Sequence, residues 1–134
     1  MASTNDIGNA NENRAVKELE KDGWMCWKAR RFTVITHEGP RNMRVDHFGA
    51  FDIIAAKDEY IRFIQVGDPT SISHKKAKIR KNFPFWFHHR YVSIEIWAYY
   101  KEGRFWKHRD LVQVPGVRDR IKEAWVDREN YRMA

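Results

Sequence analysis

Two apolar runs, Phe51-Asp52-Ile53-Ile54-Ala55-Ala56 and Tyr60-Ile61-Arg62-Phe63-Ile64-Gln65-Val66, stand on either side of the short break Lys57-Asp58-Glu59. Runs of this length, rich in β-branched and aromatic residues and bounded by turn formers, read as strands. We place one strand region at 47–57 and the next at 60–66. Gly67-Asp68-Pro69-Thr70 ends the extended pattern, and Ser71 or Ser73 can cap a helix running to about Asn82. A strong strand follows at 90–100, then a hairpin turn at Lys101-Glu102-Gly103 and a return strand at 104–109. Upstream, residues 9–22 read as a helix with the stripe Ala15, Val16 and Leu19 and a stop at Gly23. Residues 24–36 read as extended, with a turn at Gly39-Pro40. Pro115-Gly116 precedes a last helix at 117–130, carrying Val117, Ile121, Ala124 and Trp125. Residues 1–8 are small and polar and read as a flexible tail. The order is helix, three strands, helix, two strands, helix. That is an α/β arrangement around a mixed sheet, in a single domain spanning 1–134.

The chain holds six Trp, five Tyr and eight Phe, enough to build a core. Its net charge of +7 favours an acidic partner, of which nucleic acid is the commonest. The single cysteine, Cys26, excludes an internal disulfide and a Cys-rich zinc site. The histidines, at 37, 47, 74, 88, 89 and 108, lack helical metal-ligand spacing. No apolar stretch reads as a membrane span, and the N-terminus does not read as a secretory signal. The expected setting is therefore cytoplasmic, without a membrane partner.

Polar residues that intrude on apolar faces carry the chemical information. Glu12 projects onto the Ala15–Val16–Leu19 stripe, where a carboxylate is costly to bury unless it is paired or binds a metal. An exposed first-turn acid favouring the helix dipole is the alternative. Asp52 interrupts the apolar run Phe51–Ala56, a strand interior from which Asp is depleted; a strand-end capping role is its alternative. Gln65 and Gly67 point to one face of their strand. Lys76 lies inside the stripe Ile72, Ile79 and Phe83 of the second helix, where a snorkelling stem is the ordinary explanation. Around it Lys75, Lys78, Arg80 and Lys81 form a basic face that could hold phosphates.

These blocks resemble the PD-(D/E)XK nuclease superfamily, most closely the archaeal-type Holliday junction resolvases. The matching segments are Asn11-Glu12-Asn13-Arg14-Ala15, Gly49-Ala50-Phe51-Asp52-Ile53-Ile54-Ala55 and Phe63-Ile64-Gln65-Val66-Gly67, within residues 9–100. The resemblance implies a restriction-endonuclease-like αβββαβ core, with a central mixed β-sheet flanked by helices. It also implies a metal-dependent endonuclease that hydrolyses DNA phosphodiester bonds, acting on branched DNA as a homodimer. Glu12, Asp52, Gln65 and the Val66 carbonyl would hold Mg²⁺, with Mn²⁺ able to substitute and no small-molecule cofactor. Arg14, Arg30, Arg31, Arg44, Lys75, Lys78, Arg80 and Lys81 would grip the nucleic-acid backbone.

Two positions depart from the family pattern. Gln65 replaces the usual acid of the third motif, although its amide oxygen can still meet a metal. Gly67 stands where the family places its catalytic lysine. Either that function has moved to the following helix, with Lys76 the first choice and Lys75 the second, or the site is degraded and the chain is a nucleic-acid-binding module on a nuclease fold. Asp46 is a possible further carboxylate, with loop capping as its ordinary role. The aromatic segment 83–87 is a candidate dimer interface, with core packing its alternative. A virus, a mobile element or a repair pathway could each use such a protein.

Overall fold

The computed structural model describes residues 4–83, 91–114 and 124–130. Helix α1 spans Thr4–Lys21. It ends where Gly23 takes a φ of +90° and the Trp24 and Gly23 amides donate to the Leu19 and Glu20 carbonyls at 2.9 and 3.0 Å. That pairing satisfies the last carbonyls and drops Trp24 back against the core beside Leu19. The helix begins at Thr4, within the segment 1–8 that reads as a tail, and residues 1–3 lie outside the described residues. Extending a helix anchored at Ala15 and Leu19 carries no nucleation cost, which overrides the low propensity of Asn and Gly.

Strand β1 is Met25–Lys28, and the expected extended segment 24–36 then divides. The Ala29 amide donates to the Asp52 carbonyl at 2.6 Å, after which the chain leaves the main sheet. It forms an antiparallel ribbon of β2, Arg30–Thr36, and β3, Gly39–Val45. Nothing in the local pattern announces β3, because its Pro, Asn and Arg content lacks an apolar alternation. Residues 47–52, expected in a strand, instead form a turn in which Phe48 and Gly49 both have positive φ. Strand β4 is Ile53–Lys57, β5 is Tyr60–Gly67, α2 is Ile72–Asn82, β6 is Val92–Glu102 and β7 is Phe105–Val114.

The expected last helix is corrected over its described part: Ala124–Asp127 form strand β8 and Arg128–Asn130 a 3-10 turn. Trp125 and Val126 pair with Gln113 and Val112 on the exposed edge of β7, a partner that no local helical period can foresee. The rest of that expected helix lies outside the described residues.

The main sheet has the order β1-β4-β5-β6-β7-β8. All neighbours are antiparallel except β5 and β6, which run parallel across the α2 crossover. Strand alternation divides the core between the two faces. On one, Ile53, Ala55, Ile64, Val66, Trp97 and Tyr99 pack with Ala15 and Leu19 of α1. On the other, Ile94, Ile96 and Leu111 pack with Ile79 of α2, Phe51 and Phe83. The molecule is therefore a mixed α/β protein whose mostly antiparallel sheet is flanked by helices.

Candidate acidic site at the sheet rim

Six polar or charged side chains are buried among the described residues, and three of them are Glu12, Asp52 and Gln65, at 2%, 2% and 1% exposure. Glu12 lies on the α1 face that also buries Ala15 and Leu19. Asp52 sits one residue before β4. Its amide donates to the Ile64 carbonyl at 2.9 Å, and its Oδ2 accepts the Val66 amide at 2.6 Å. These two bonds tie Asp52 to the stretch of β5 that carries Gln65.

The two carboxylates converge. One guanidinium nitrogen of Arg44, Nη2, ion-pairs with both Glu12 Oε1 and Asp52 Oδ1. Arg44 arrives from β3, and its Nε donates to Asp46 Oδ1 at 2.7 Å. Asp46 also pairs with Lys78. Burial pushes the Asp46 carboxyl up, but the Lys78 hydrogen bond and the Arg44 charge outweigh it and hold Asp46 below the usual carboxylate range. The amide oxygen of Gln65, Oε1, is buried without a hydrogen-bond partner. An unsatisfied buried acceptor is costly and calls for an explanation.

Lysine placement separates the two candidates on α2. The capping box of Asp68 and Ser71 starts a short turn at Pro69–Ser71 that aims α2 back over the end of β5. A Cβ built on Gly67 would lie 2.7 Å from Ser71 Oγ and 3.0 Å from Lys75 Cε. The stem of Lys75 thus fills the space above Gly67. Burial, followed by repulsion from Lys78 and Arg44, holds the Lys75 ammonium below its ordinary value, with Asp46 and Glu12 pulling the other way. Lys76, the first choice from sequence, lies elsewhere: its ammonium is 5.9 Å from the Trp125 ring centre. Helical spacing puts both lysines on the inner half of α2; only the path of β5 decides which one meets Gly67.

The other expected backbone-gripping residues are dispersed. Arg14 stacks 4.2 Å over the Trp106 ring and donates to Asn11 Oδ1 at 2.7 Å. Arg30 is exposed at the base of the ribbon, next to Arg31 in β2. Arg80 and Lys81 are exposed on the last turn of α2. Of the segment 83–87, Phe83 is a core residue and the remainder lies outside the described residues.

Sequence reasoning missed Glu95, a fully buried acid. It accepts from Arg62 Nε and Nη2 at 2.6 and 2.7 Å, from Arg128 Nη1 at 2.8 Å and from Ser93 Oγ at 2.6 Å. Burial opposes its ionisation, but the Arg62 hydrogen bonds and charge bring its pKa down to about 2. Its place within Ser93-Ile94-Glu95-Ile96, an alternation with polar residues on the second face, was the available signal.

Glu12 and Asp52 present carboxylate oxygens and Gln65 an amide oxygen, the hard donor types that divalent cations take. Among the described residues no three His, Cys, Asp or Glu side chains gather in one group. Comparison of the chain with protein-family models, with curated proteins and with solved structures gives no match.

Proposed function

We propose that this chain is a metal-dependent DNA endonuclease with a restriction-endonuclease-like core, selective for branched DNA and acting as a homodimer. With the β2–β3 ribbon counted as an insertion, the order α1, β1, β4, β5, α2, β6 reads αβββαβ. The single observation that carries the reading is the meeting of Glu12 and Asp52 on one cationic nitrogen, with the buried, unpartnered amide oxygen of Gln65 on the strand whose Val66 amide holds Asp52.

Glu12, Asp52 and Gln65 would hold Mg²⁺ or Mn²⁺. Such an ion supplies a Lewis acid that acidifies water and offsets phosphate charge. The Val66 amide fixes the Asp52 carboxylate through Oδ2, leaving Oδ1 directed at the shared point. Lys75, half-buried above Gly67 and with a depressed pKa, would set a positive charge or a transferable proton beside the attacked phosphate. Lys78, Arg80 and Lys81 of α2, with Arg30 of the ribbon, would contact the flanking backbone.

A second reading, a nucleic-acid-binding module on a degraded nuclease fold, is favoured by Gly67 and by the arginine lodged between the acids. One experiment separates the two. Wild type and Asp52→Ala are incubated with labelled linear, flapped and four-way DNA in Mg²⁺ or Mn²⁺. The nuclease reading expects cleavage by wild type, its loss in Asp52→Ala, and retained DNA binding by both. A wild type that binds every substrate and cuts none establishes the binding module.

A further inference from the structure

Arg44 does more than neutralise two acids. It belongs to the β2–β3 ribbon, a sheet separate from the six-stranded one, with Phe32, Val34, Ile35, Met43 and Val45 exposed on it. From that exposed ribbon its side chain reaches two carboxylates that are almost wholly buried. Two buried carboxylates held this close require a counter-charge, because like charges in a low-dielectric site cannot both remain ionised alone. The guanidinium supplies one positive charge and leaves the Gln65 oxygen unsatisfied.

A divalent ion would supply two charges to the same pair of acids. It cannot share the position with the guanidinium, since two cations would then lie between the same pair of acids. Arg44 has somewhere to go. Its Nε already pairs with Asp46, which Lys78 anchors from α2, and nearly a third of its side chain is exposed.

We propose that Arg44 is a resident cation that competes with a divalent ion for the Glu12–Asp52 pair, so that ion binding releases the buried end of the ribbon's arginine. The inference rests on the cation site proposed above and adds a built-in competitor to it. The ribbon at 30–45 is docked through Arg44 in the ion-free protein and loosened in the ion-bound one. The released fork faces the rim beside Lys78, where a phosphate oxygen could replace the lost carboxylates.

The test titrates Mn²⁺ into wild type, Arg44→Gln and Asp52→Asn by calorimetry, with hydrogen exchange followed across residues 30–45. Arg44→Gln should bind Mn²⁺ about tenfold or more tightly than wild type, because the competing state is removed. Exchange in the ribbon should rise when wild type is saturated with Mn²⁺. Equal or weaker affinity in Arg44→Gln overturns the competition while leaving the cation site standing. Absence of Mn²⁺ binding in both wild type and a folded Arg44→Gln removes the cation site itself. Should Arg44→Gln not fold, unchanged ribbon exchange in Mn²⁺-saturated wild type is enough to overturn the proposal.

Discussion

At residue scale, the chemistry of the rim turns on which lysine of α2 reaches β5. Lys75 fills the space over Gly67, whereas Lys76 lies over Trp125. Under the nuclease reading, Lys75→Ala should lower the cleavage rate by about 10²–10³, the range for removing one group that stabilises transition-state charge. Lys76→Ala should leave the rate near wild type. Single-turnover cleavage of the preferred DNA measures both, and equal losses would remove the distinction. Glu95 is the buried acid that holds Arg62 on the neighbouring strand. Glu95→Ala would leave the Arg62 guanidinium buried between Trp24 and Trp97 without its acid. Breaking a buried pair from one side costs about 3–5 kcal/mol, so the urea midpoint should fall steeply. A change under about 1 kcal/mol would mean that water or another acid replaces Glu95.

At the scale of elements, α1 is fastened to β7 by His108. Its Nε2 meets Glu18 Oε2 at 2.7 Å, its Nδ1 pairs with Asp110, and its ring stacks on Trp97 at 4.5 Å and 9°. Burial lowers the affinity of His108 for its proton, but Asp110 and then Glu18 outweigh burial and raise the pKa above its ordinary 6.5. A raised folded-state pKa means that the folded form binds the proton more tightly. The stabilisation is fully present below pH 6.5 and is lost as pH rises through the folded-state value. Thermal melts should therefore show wild type losing its advantage over His108→Gln as pH increases across that window. A constant difference would assign His108 to packing alone. The same clamp helps set the position of Glu12, which precedes Glu18 on α1, relative to the sheet.

For the whole molecule, the +7 charge and the exposed basic turn of α2 bear on association rather than on fold. Under the proposed nucleic-acid-binding reading, affinity for a fixed DNA should weaken with salt, and each phosphate neutralised contributes about 0.9 to the slope of log affinity against log salt. The double substitution Arg80→Ala, Lys81→Ala should reduce that slope by about 2, since each basic side chain that meets a phosphate accounts for about one unit. Fluorescence anisotropy across a salt series gives the slope, and an unchanged value would place the nucleic-acid surface elsewhere. The +7 charge repels a second copy, so a homodimer would have to offset it with buried area or shared DNA. Sedimentation with and without DNA distinguishes the two cases.

The amino-acid order alone determined the parts whose neighbours are close in the chain. The α1 stripe, the 60–66 strand, α2 with Ile72, Ile79 and Phe83, and the β6–β7 hairpin follow from local period and turn chemistry. So does the oddity of Glu12, Asp52 and Gln65, because a polar residue on an apolar face stands out without knowing what it touches. Tertiary structure decided what depends on distant partners. Strand β8 exists because β7 offers it an edge, Lys75 rather than Lys76 lies over Gly67 because β5 runs beneath it, and Arg44 reaches the two acids from β3, whose Pro, Asn and Arg content did not announce a strand. Periodicity reports which way a side chain points; only the packed fold brings a charge from residue 44 to acids at 12 and 52.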